Sequence, residues 1–110
     1  MRAIQAYFTK IVQTRIIWKG GKRGFAVYLS IPVDIARKYG IPNKRFSIVE
    51  KDGNITYVED PNGEYQVKDY GNKRGPAYYI LFPKRLPHRT RVLLFIEKEE
   101  PLRFVVITPA

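Results

Sequence analysis

The 110-residue sequence has no cysteine and a single histidine, His88. Without thiols there is no disulfide frame, no thiolate metal site, no iron–sulfur cluster and no cysteine nucleophile. One imidazole leaves histidine-based metal centres and a Ser-His-Asp arrangement almost nothing to build on. Ser30 and Ser47 are the only serines. No catalytic constellation emerges, so neither enzyme activity nor a cofactor, metal or small-molecule substrate is expected. Apolar runs are a few residues long, too short for a membrane-spanning helix. Met1 to Ile11 lacks the apolar stretch of a signal peptide. The expected setting is the cytoplasm, with no membrane partner.

Acid is scarce as well. Twenty Lys and Arg stand against ten Asp and Glu, a net charge of +10, and such an excess favours an anionic partner. The acids gather in 50–69 and 97–100, leaving residues 1–33 and 70–96 with none. Charge that served only heat stability would be balanced in sign and paired. Two acid-free blocks fit an anion-binding surface better. At 45% hydrophobic residues the chain has enough apolar material for one modest core.

The sequence repeats itself. Residues 20–32 (GGKRGFAVYLSIP) match residues 71–83 (GNKRGPAYYILFP) at an offset of 51, with seven of thirteen positions identical. Glu50-Lys51-Asp52 then matches Glu97-Lys98-Glu99 at an offset of 47, and Ile55, Tyr57 and Val58 align with Leu102, Phe104 and Val105. The second copy has thus lost four residues, which this alignment puts between Pro83 and Arg91. A repeat of this kind means a pseudo-symmetric fold built from two copies of one unit. The chain reads as a single domain over 1–110: repeat 1 at about 13–59, repeat 2 at about 64–108, and an extension over 1–12 that leans to strand.

Each unit has a legible order. Arg15 to Trp18, a glycine-rich turn and Phe25 to Ile31 form a hairpin signal. Val33 to Tyr39 predicts a short helix, with Ile35 and Tyr39 on one face and Gly40 placed as its C-terminal cap. Arg45 to Lys51 alternates, Asp52-Gly53-Asn54 is a tight turn, and Ile55 to Val58 returns. In the second copy Tyr65 to Lys68, Ala77 to Phe82, Val92 to Ile96 and Leu102 to Ile107 take the strand positions. Pro87 and the lost residues leave a turn or loop where the helix stood.

Leu29-Ser30-Ile31-Pro32-Val33-Asp34-Ile35-Ala36-Arg37-Lys38-Tyr39-Gly40-Ile41, followed by Phe46 to Ile55, resembles the AbrB/SpoVT family of DNA-binding regulators. The resemblance covers about residues 15–58 and extends more faintly over 66–107. It departs at Ile41-Pro42-Asn43-Lys44-Arg45, where the family often has Gly-Asp. It implies a mainly β swapped-hairpin barrel with one short helix, as in MazE-type antitoxins. Two copies in one chain could form that barrel as an intramolecular pseudo-dimer; the alternative is a homodimer.

Candidate DNA contacts follow. Lys22-Arg23 and Lys73-Arg74 occupy equivalent glycine-flanked turns, and a pair of basic tips suits the local twofold of DNA. Arg37 matches a basic helix position of the family pattern, and Lys38 adjoins it. Arg15 and Lys19 flank the first turn, and Lys44, Arg45, Lys84, Arg85 and Arg89 extend the set. The alternative for each is a solvated charge, which the retention of the doublet in both copies disfavours for the two tips. Trp18, Phe25, Tyr28, Tyr78 and Tyr79 lie beside basic residues and fit a core better than base stacking. His88 is expected on a surface loop. The expected function is double-stranded DNA binding by a small transcription regulator. The alternatives are an architectural protein on the nucleoid, a basic β-barrel that binds RNA or single strands, and an antitoxin-type module. The strand-like Arg103 to Thr108 leaves no toxin-binding tail to support the last.

Overall fold

The structure, a computed structural model, describes residues 8–18, 25–87 and 89–108; for 8–18 and Phe25 it describes the backbone alone. The fold is mainly β with one α-helix among these residues. The strands are β1 (Phe8–Trp18), β2 (Phe25–Ile31), β3 (Arg45–Lys51), β4 (Asn54–Glu59), β5 (Tyr65–Gln66), β6 (Lys68–Asp69), β7 (Tyr78–Leu81), β8 (Arg91–Lys98) and β9 (Arg103–Ile107). Helix α1 (Val33–Tyr39) lies between β2 and β3, followed by a single 3-10 turn at Ile41–Asn43.

Two antiparallel sheets share β1. Phe8 to Gln13 pairs with β8, and Thr14 to Trp18 pairs with β2. The first sheet runs β5-β3-β4-β9-β8-β1 and the second β1-β2-β7-β6. On the far side, β5 pairs with β3 in the first sheet and β6 with β7 in the second, with buried Val67 between them. Hairpins of the two halves alternate across this order: β3-β4, β9-β8, β1-β2, β7-β6.

The alternation of side chains builds the core. Val27, Leu29 and Ile31 of β2 are buried, with Ile80 of β7 and Val92, Leu94 and Ile96 of β8. From the other strands come Phe46, Ile55, Tyr57, Phe104 and Val106, and Ile35, Ala36 and Ile41 close one side. Each fully buried aliphatic side chain contributes roughly 1.5–3 kcal/mol relative to exposure. Tyr57 stacks on Phe104, with ring centroids 4.7 Å apart. Its hydroxyl donates to the Leu81 carbonyl at 2.7 Å and so ties the first sheet to the second. Burial pushes the Tyr57 pKa well above the usual tyrosine range, so this hydroxyl stays a donor.

Two registers coincide with the repeat. Leu29 pairs with Ile80, its own counterpart at the offset of 51, and Tyr57 pairs with Phe104, its counterpart at 47. Tyr28 and Ser30 pair with Leu81 and Tyr79, each the other's counterpart. Other registers differ. Trp18 pairs with Phe25, whereas Asp69 pairs with Tyr78 and not with Pro76, which has no N–H to give a ladder. The structure also moves one of the four missing residues. Phe46 faces Glu59 and Ile48 faces Tyr57, as Leu94 faces Val106 and Ile96 faces Phe104. β8 therefore matches β3 at an offset of 48, and the fourth residue is lost within the β8-β9 hairpin, where pairing is irregular between Ile96 and Lys98.

The helix forms as its spacing predicts. Asp34 accepts from the Ile35 N–H, Ile35 and Ala36 are buried, and Gly40 ends the helix at φ +63°. Residues 82–87 and 89–90 are in neither helix nor strand, with the Thr90 N–H and hydroxyl on the Pro87 carbonyl. Asp52 and Gly53, both at positive φ, make the two-residue turn that joins β3 to β4. The expected strand over Tyr65 to Lys68 is broken at Val67; the lean to strand in the 1–12 extension holds over Phe8 to Val12, and residues 1–7 lie outside the described residues.

Candidate nucleic-acid interface

The hairpin between β6 and β7 is held by its own side chains. Asp69 accepts from the Gly71 N–H at 2.7 Å and the Ala77 N–H at 3.0 Å. These two donors hold its carboxyl below the usual carboxylate range. Asn72 and Gly75 exchange both backbone bonds, and the Asn72 side chain accepts from the Arg74 N–H at 2.8 Å. Gly75 sits at φ +142°, a conformation that side-chain-bearing residues rarely adopt. Lys73 and Arg74 are the two central residues of this tip. Both are exposed, and neither has an ion-pair partner among the described residues. The nearest acid in sequence, Asp69, is committed to backbone donors.

The strand register places more cations at the same end. Tyr78 pairs with Ile31, so the Lys73-Arg74 hairpin and α1 leave one end of the β2-β7 pair together. Ile35 and Ala36 turn inward, which leaves Arg37 and Lys38 exposed in the last turn. The Lys38 ammonium lies 5.6 Å from the Tyr39 ring centroid.

Three candidates are engaged within the fold. Lys44 pairs with Glu59 at 3.1 Å. Arg45 donates through Nε to the Gly63 carbonyl at 2.8 Å and through Nη1 to Gln66 at 3.2 Å. Lys84 pairs with Glu50 at 3.2 Å and donates to the Gly53 carbonyl. These side chains fasten β3 and its turn to neighbouring segments. Arg85 and Arg89 are exposed between β7 and β8, Arg89 at φ +62°. Arg15 pairs with Tyr28 through its backbone. Lys19, Lys22, Arg23 and His88 lie outside the described residues.

Searches against protein-family models, curated proteins and solved structures return no match.

Two features beside the tip were not singled out in the sequence. Lys68 pairs with Tyr79 on the hairpin stem, yet it sits in the acid-rich stretch of the chain. Tyr70 is 47% exposed and packs on Tyr28 at 6.0 Å and Tyr79 at 5.9 Å. A hydrogen bond with Tyr28 pushes its hydroxyl pKa upward. The adjacency of Tyr70 to the tyrosine-rich β7 was the available signal. Among the described residues no cluster of His, Asp and Glu could hold a metal ion, and no helix is long and apolar enough to cross a membrane.

Proposed function

We propose that this chain binds double-stranded DNA as a small transcription regulator. Its two halves take the place of two subunits in a swapped-hairpin barrel resembling the AbrB/SpoVT family. The alternating hairpins and the self-paired registers of Leu29 with Ile80 and Tyr57 with Phe104 support that architecture. The Lys73-Arg74 tip carries the DNA reading. It presents two exposed cations, without an ion-pair partner among the described residues, on a hairpin held by Asp69 and Asn72, so little ordering entropy is lost on binding. The tip and its counterpart Lys22-Arg23 grip phosphates on both sides of a groove. Arg37 and Lys38 extend the contact from α1, and Arg, Lys and Asn side chains read base edges.

The test is titration into labelled duplexes, including the sequence upstream of the chain's own gene, with matched single strands, at several salt concentrations. Binding to one duplex that survives added salt identifies a sequence reader; salt-sensitive binding to every duplex makes the protein architectural. Replacing Lys22, Arg23, Lys73 and Arg74 with Ala weakens binding to all duplexes. It also flattens the log–log salt slope by about 0.9 for each phosphate that is no longer neutralised. Unchanged affinity in the folded quadruple variant would sink the tips. The exposed Tyr70 beside Tyr79 and Lys68 favours a second reading, base stacking on single strands. In that case Tyr70→Ala lowers affinity for single strands and spares duplexes.

A further inference from the structure

β3 is covered unequally along its outer edge. β5 pairs with Arg45 and Phe46, and among the described residues nothing pairs there with Ser47 to Lys51. The matching edge of β8 is filled by Phe8 to Gln13 of β1. Backbone groups alternate sides along a strand. The Arg45 carbonyl accepts from the Asp60 N–H on the β4 side, so Ser47, Val49 and Lys51 also turn their backbone groups to β4. Ile48 and Glu50 turn theirs outward. Val49 is 51% exposed, the most exposed large hydrophobic side chain among the described residues. An unpaired edge of this kind is a template for another strand.

We propose that a second copy of this chain pairs its β3 edge with this one, antiparallel about a twofold axis through Val49. In that register Ile48 meets Glu50 of the second copy in a hydrogen-bonded pair, and Glu50 meets its Ile48. Every outward N–H and C=O of the two residues finds a partner. Val49 meets Val49 of the second copy in the intervening close pair, which packs the two exposed side chains against each other. The charges agree. Lys51 of the second copy falls opposite Ser47, which lines an open groove of about 430 Å³ with Asp60 and Glu64. A shift by one residue would turn outward groups toward inward ones, so the register is specific. The contact is isologous and closes at two copies.

Sedimentation equilibrium of the full chain, without nucleic acid, tests this independently of any DNA binding. The edge buries less than a standard interface of about 1,600 Å², so association is concentration-dependent. The mass rises from 12.8 kDa toward twice that value. Val49→Lys, at an exposed position, keeps the fold by circular dichroism and stays at the monomer mass. Hydrogen exchange at the Ile48 and Glu50 amides slows as the dimer fills. Three results would each overturn the proposal: a monomer at every concentration, a Val49→Lys variant that associates like the parent, or protection of those two amides in the monomer, which would place a cover within the chain.

Discussion

Leu29 of the first half faces Ile80 of the second, and Tyr57 lies on Phe104. Away from these pairs the halves part. Val33–Tyr39 is a helix where residues 83–87 and 89–90 form neither helix nor strand, and β1 runs unbroken where Tyr65 to Asp69 is split at Val67. The shared strands are those that supply core to both halves at once. A change on one side of such a pair must be met by the other side, because interiors are close-packed. The rim carries no such coupling: its side chains answer to solvent, and three residues of loop can vanish there at small entropic cost. Stability should therefore fall hardest for changes at the self-paired positions and least at rim contacts made by one half alone.

The largest effect is expected at Phe104. It is fully buried between Tyr57 and Phe46, and Phe104→Ala should cost about 3–5 kcal/mol in denaturant unfolding. A loss below about 1 kcal/mol would remove the central pair from its role as a joint core. Helix α1 comes next. Gly40→Ala puts a side chain at φ +63° and should cost about 1–2 kcal/mol. Among the described residues the second half has no matching helix, so in Gly40→Ala amide exchange should quicken over 33–41 and stay unchanged in the second half's loop. Tyr57→Phe then separates the two halves within one ring pair. It removes the hydroxyl bond to the Leu81 carbonyl at about 1 kcal/mol, a bond that Phe104 never had.

The sequence pattern carried the helix, because Ile35, Tyr39 and Gly40 hold spacing and cap within one short window. It carried the Asp52-Gly53 turn for the same reason. The Lys73-Arg74 tip was visible through its retention in both copies. Long-range commitments were not. Nothing near Lys44, Arg45 or Lys84 in the chain shows that Glu59, Gln66 and Glu50 will come to meet them. The slip of the second hairpin depends on Pro76 and on two backbone bonds to Asp69, and the break at Val67 on a strand passing between sheets. Each is decided by which strand lies alongside, which a local pattern does not hold.

The smallest effect is the most selective for one half. Glu59 accepts from the Leu102 N–H at 2.8 Å through one carboxylate oxygen and pairs with Lys44 through the other. The backbone donor, aided by Lys44, holds its carboxyl below the usual carboxylate range against the opposing effect of partial burial. A carboxylate lowered on folding adds stability above the ordinary glutamate range, near pH 4.3, and loses it as pH falls through the lowered value. The matching residue in the second half is Val106, which titrates nothing. Glu59→Gln keeps an acceptor for Leu102 but binds no proton. Thermal unfolding followed from about pH 6 to pH 3 should show a shallower decline in this variant than in the parent. Equal slopes would mean that other carboxylates set the acid limb, and would erase this difference between the halves.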